Sequence, residues 1–105
     1  MKNGEKVLHY LKTKAIGQNN AVFGADIGDE FGLVDAQIRR IVNEARRNGV
    51  PICSSRHGYY YAENASDIKA TIEGLYSRIE NVLAAIDGLQ GALTQMVEVS
   101  PRQEP

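Results

Sequence analysis

Gln37, Arg40 and Asn43 carry the side chains of this chain best suited to planar, paired hydrogen bonding. An arginine fork matches the two acceptors of a guanine edge, and a terminal amide can pair with adenine in the same way. They lie within residues 36–58, which hold five arginines and one acid, Glu44. Arg39, Arg46, Arg47 and Arg56 offer charge to phosphate, Ser54, Ser55 and His57 offer further donors, and Ala36 shares the helix face of Arg40 and Asn43. The whole chain of 105 residues carries a net charge of only −1. A local basic patch on a nearly neutral protein suits a surface that meets phosphate in one place.

Other chemistries find little support. Cys53 is the single cysteine, and neither His9 nor His57 has a companion at metal-ligand spacing, so neither a metal site nor any other cofactor is expected. No Ser-His-acid, Cys-His or phosphate-loop pattern is present, and the carboxylates are scattered. Enzymatic activity is not expected. No apolar run approaches the roughly 18–20 residues of a membrane span. The N-terminal MKNGEKVLHYLK lacks the apolar core of a signal peptide, and the expected location is the cytoplasm.

Short elements must position the basic patch. Val7, Leu8 and Leu11 at helical spacing predict a first helix over 5–14. Gly17-Gln18-Asn19-Asn20 reads as a loop. Ala25–Phe31 reads as a two-turn helix ended by Gly32. Val34, Ile38, Ile41, Val42 and Ala45 form one apolar stripe, predicting a third helix over Asp35–Asn48 that stops at Gly49. Ala36, Arg40, Asn43 and Arg47 point away from that stripe, while Gln37, Arg39, Glu44 and Arg46 flank it. Ile52–Ser55 and Tyr59–Ala62 read as strands joined by a three-residue Arg56-His57-Gly58 loop of the bulged type. Alternation along the second strand sends Tyr59 and Tyr61 inward and Tyr60 outward.

Helix, loop, short helix, Gly turn, basic helix and hairpin together describe a winged helix-turn-helix. The stretch FGLVDAQIRRIVNEARRNGVPICSSRHGYYYA, Phe31 to Ala62, resembles the N-terminal domain of biotin-operon repressors. It is more closely similar to small winged-helix proteins encoded in bacterial prophages, which share the Arg-Arg helix and the Gly-Val/Ile-Pro-Ile-Cys-Ser-Ser wing. The resemblance covers about two-thirds of the chain. It implies double-stranded DNA as partner, with the Asp35–Asn48 helix in the major groove and the Ser55–Gly58 wing on adjacent backbone or minor groove. Two features depart from that pattern. Val34 stands where many such helices begin with a hydroxyl, which leaves Asp35 to cap. The second helix carries Asp26, Asp29 and Glu30, acids that would weaken its docking on a phosphate backbone.

From Ser66, capped by itself or by Asn64, a long helix is predicted. Ile68, Ile72, Leu75, Ile79, Val82, Ile86, Leu89, Leu93 and Met96 alternate in steps of four and three, a heptad seam. A domain of 65 residues cannot cover such a helix, so its distal half needs a partner, expected to be the protein itself. Leu75, Ile79, Val82, Leu83, Ile86, Leu89, Leu93 and Met96 would form the oligomer contact. Tyr76 and Leu83 widen the apolar face, and Ala85 and Ala92 border it. These flanks suit an antiparallel dimer or a four-helix assembly, with homodimer and tetramer both open.

The fold class expected is therefore mainly α with a small β-hairpin (α+β), a winged helix-turn-helix followed by an oligomerisation helix. Its parts are a DNA-binding domain over 1–65, the helix over 66–98 and a disordered tail over 99–105. The function expected is sequence-specific binding of double-stranded DNA, as a phage-type regulator of transcription or replication acting as an oligomer. A two-fold dimer would place its recognition helices about 34 Å apart, or a multiple of that. The alternative is a protein-interaction module built on the same scaffold.

Overall fold

The computed structural model describes the backbone of residues 2–102 and the side chains of residues 2–98. The chain divides into two units, Met1–Ile72 and Glu73–Pro105. Among the described residues it is mainly helical, with one antiparallel hairpin and a long C-terminal helix.

In the first unit, helix α1 spans Asn3–Lys14 and buries Val7 and Leu11 at helical spacing, with Glu5 in its first turn and Lys12 and Lys14 in its last, the signs its dipole favours. A single 3-10 turn, Gln18–Asn20, leads to α2, Gly24–Phe31, which ends at Gly32 in the left-handed conformation. Helix α3, Asp35–Arg47, buries Ile38, Val42 and Ala45. It closes with two nested backbone bonds, Gly49 N–H to Arg46 O (3.0 Å) and Val50 N–H to Ala45 O (3.0 Å). Gly49 stands at φ +83°, the left-handed residue this closure requires.

The start of α3 differs from expectation. Val34 occupies the cap position and offers no side-chain acceptor, and Asp35 is already the first helical residue. Gln37 does the closing instead, its Oε1 accepting the Val34 N–H at 2.9 Å. That is the return half of a capping box. Asp35 pairs with Arg39 one turn on.

Strands β1 (Ile52–Ser55) and β2 (Gly58–Tyr61) pair in the register Ile52 with Tyr61 and Ser55 with Gly58. The connection is therefore two residues, Arg56-His57, rather than three, because Gly58 has joined the ladder. The other edge of β2 is also occupied. Tyr61 exchanges backbone bonds with Ala15 and Gly17, and Tyr59 with Val22, all at 2.7–2.9 Å. The segment between α1 and α2 thus acts as a third rail of the sheet, which its turn-forming residues concealed.

All three tyrosines are covered. Tyr59 and Tyr61 pack against the core formed by Val7, Leu11, Ile27, Ile38, Val42 and Ile52. Tyr60, expected to face outward, is 2% exposed and lies opposite Cys53 in the register. What covers that second face is the beginning of α4, Ala65–Arg102. Asn64 caps it by accepting the Asp67 N–H, and Asp67 accepts the Glu63 N–H in return. Buried Thr71 then accepts the Ser54 N–H at 3.2 Å. The first two turns of α4 belong to the first unit for this reason. The tail expected over 99–105 falls on residues whose side chains, and from 103 whose backbone, lie outside the described residues.

Burial raises the Cys53 thiol above its ordinary 9.0, with Asp67 adding to the rise and Thr71 and Arg46 opposing it. Burial likewise raises the Tyr60 hydroxyl above 10.0. In both cases the unfolded chain loses its proton first, so the stability these groups contribute is complete below 9.0 and is lost as pH climbs towards the raised values. Urea midpoints measured from pH 7 to 10.5 should hold to about pH 9 and then fall. Cys53→Ala should remove the earlier part of that fall; an unchanged curve would contradict the assignment. Gly58 stands at φ +116°, and a Cβ there would overlap the Val22 carbonyl. Gly58→Ala should therefore lower stability by at least about 2 kcal/mol, seen as a lower urea midpoint at constant slope.

Candidate nucleic-acid interface

Burial of one stripe of α3 fixes what its other side presents. Ile38, Val42 and Ala45 are inside, so Ala36, Arg40, Asn43 and Arg47 fall on the opposite face, and all four are exposed. The side chains of Arg40, Asn43 and Arg47 have no hydrogen bond or ion pair among the described residues. They form a row along about two turns, with two cations and one amide, each able to donate to an external acceptor.

The flanking residues are engaged to different degrees. Arg39 Nε lies 3.0 Å from Asp35 Oδ2, an exposed pair four residues apart. Such a pair holds by less than about 1 kcal/mol, so an incoming phosphate can displace it. Gln37 is exposed but holds the Val34 N–H. Glu44 also lies exposed on α3.

Arg46 serves the fold. Half-buried, it donates from Nε to Ile52 O at 2.7 Å and from Nη2 to Ser54 Oγ at 3.1 Å. It thereby ties the end of α3 to β1, and Ser54, with its N–H on Thr71, is held from both sides. Ser55 is also occupied locally, its Oγ accepting the His57 N–H at 3.1 Å. At the hairpin tip Arg56 and His57 are exposed, and Arg56 Nε donates to His57 Nε2 at 3.3 Å. The sequence brings eleven candidate residues to this region, and the structure leaves Ala36, Arg39, Arg40, Asn43, Arg47, Arg56 and His57 as those presented outward without a role in backbone capping or strapping.

Two further features escaped the sequence. Gln18, Asn19, Ala21, Phe23 and His57 line an open depression of about 520 Å³ beside the hairpin tip. Phe23 precedes α2 and is 52% exposed, and Val34 precedes α3 and is 65% exposed. Both are apolar residues at helix starts, where short polar residues are preferred. The apolar type at Phe23 is the signal that could have marked it; Val34, counted in the α3 stripe from its spacing, precedes the helix and lies outside the core. Asp26, Asp29 and Glu30 are exposed on α2.

Among the described residues no helix is long and apolar enough to cross a membrane. Comparisons with protein-family models, curated proteins and solved structures give no match.

The strap and the row separate by experiment. Arg46→Ala should lower stability by about 1–3 kcal/mol, since it removes two charge-assisted bonds and leaves a buried carbonyl short of a donor. Arg40→Ala and Arg47→Ala, both on the exposed row, should each change it by less than about 0.5 kcal/mol. Thermal melts of the three variants test this; equal losses would mean that the row is also structural.

Proposed function

We propose that the first unit is a winged helix-turn-helix that binds double-stranded DNA sequence-specifically, and that the protein acts as an oligomeric regulator of transcription or replication of the prophage kind. The observation that carries this reading is the row Arg40, Asn43 and Arg47, exposed and unengaged among the described residues, on a helix that buries Ile38, Val42 and Ala45 on its opposite side. A helix presented in this way can enter a major groove, where arginine and asparagine discriminate bases by paired bonds. Arg47 and Arg39 would meet phosphate. Arg56 and His57 at the two-residue tip would reach an adjacent backbone or minor groove. Arg46 and Ser54 are assigned to holding the hairpin on α3. The exposed acids of α2 restrict docking to the α3 side, because they repel phosphate near that helix.

The second reading, a protein-interaction module, draws on the same acids and on exposed Phe23 and Val34. One experiment separates the two. Binding to duplexes selected from a random pool should fall steeply as salt rises, because phosphate contacts release counterions. Arg40→Ala and Asn43→Ala should each cost about 1–3 kcal/mol and relax the sequence preference, whereas Arg47→Ala should weaken all duplexes alike and reduce the salt slope by about one. Affinity absent for every duplex, or independent of salt, would favour the protein-interaction reading.

A further inference from the structure

The second unit, taken by itself, is a helix whose apolar side has no cover. Ile79, Val82, Leu83, Ile86, Leu89 and Leu93 are all exposed, and Leu89 and Met96 reach 71%. A continuous row of this kind marks an association surface, because isolated exposed apolar residues do not line up over several turns. We infer that a second copy of this chain covers it in antiparallel orientation, centred on Ala84. The inference rests on the reading of residues 73–98 as a self-association surface and adds its orientation and register.

Layer matching supports the register. With Ala84 at the centre, Leu75 meets Leu93 of the other copy, Ile79 meets Leu89 and Val82 meets Ile86. One layer further out, Ile72 meets Met96. Every exposed seam residue from 72 to 96 then has an apolar counterpart. Sliding by one heptad in one direction leaves Met96 unmatched and brings in Ile68, which is part of the first unit. Sliding the other way leaves Ile72 and Leu75 unmatched.

Flanking residues decide the orientation. Isoleucines at 72, 79 and 86 alternating with Leu75, Val82 and Leu89 would also satisfy a parallel two-stranded seam. In that arrangement, however, Leu83 would face Arg78 of the other copy, and Ala85 would face Gln90. Antiparallel pairing places Leu83 against Leu83 and Ala85 against Ala85 across the two-fold axis. The antiparallel arrangement also sets the two helix dipoles in opposition.

The register also has a consequence for span. The 24 residues from Ile72 to Met96 rise about 36 Å at 1.5 Å each. The two Ile72 positions, where the first units end, would then stand about 36 Å apart along the rod. That is close to the 34–36 Å repeat of a groove on one face of DNA. A parallel pair would hold them only about 8–10 Å apart.

Spin-label distances on the free full-length protein test this without DNA, so the result is independent of whether any duplex is bound. Nitroxides are placed at Q95C or S77C, both exposed, with Cys53 replaced by alanine. Pairing about Ala84 predicts axial separations of about 33 Å for position 95 and about 21 Å for position 77. Two equal short distances would establish a parallel pair and overturn the inference. A monomeric mass in sedimentation, or distances fitting another centre, would overturn it as well. Far-UV circular dichroism confirms that each labelled variant remains helical.

Discussion

The packing of one stripe of α3 governs the rest of the first unit. Ile38, Val42 and Ala45 are buried against Val7, Leu11 and Ile27, each of the larger ones contributing on the order of 1.5–3 kcal/mol by leaving water. Because a helix turns by a fixed angle per residue, burying that stripe leaves no freedom in where Arg40, Asn43 and Arg47 point. The cationic row is thus a consequence of core formation. Nothing in the row itself has to be stabilised.

Two devices hold α3 at that angle. The Schellman closure at Gly49 sends the chain sharply back, and Arg46 then grips the carbonyl of Ile52 and the hydroxyl of Ser54 on the returning strand. The hairpin is stiffened on both edges and both faces. The 15–22 segment bonds β2 laterally, the core takes Tyr59 and Tyr61, and the first turns of α4 cover Cys53 and Tyr60. A two-stranded hairpin alone is marginal in water. This one has a partner on every side, so its Arg56-His57 tip projects from a fixed base.

The helices were legible in the sequence because their apolar periodicities are strong. Ile38, Val42 and Ala45 of the α3 stripe and the Gly32 and Gly49 stops rest on residues whose chemistry has one structural meaning. What was not legible depends on contacts between distant segments. Tyr60 reads as outward by strand alternation, and only the return of Thr71 over the hairpin buries it. Gly17 to Asn20 reads as a loop, and its pairing with β2 uses backbone groups that no side chain announces. Gly58 reads as a loop residue until the register places it opposite Ser55. Among the site residues, type and spacing located the exposed row correctly on its helix face. The fold roles of Arg46, Gln37 and Ser54 stayed hidden, because an arginine that binds phosphate and one that binds a carbonyl look alike in sequence.

Under the proposed function, one face of the first unit meets a duplex. Amide chemical-shift changes in the labelled protein, followed during titration with a random-sequence duplex at low salt, report that face directly. The largest changes are predicted at Ala36, Arg40, Asn43 and Arg47, with a second group at Arg56 and His57. Changes centred on Asp26 to Glu30, or confined to residues 73–98, would contradict it.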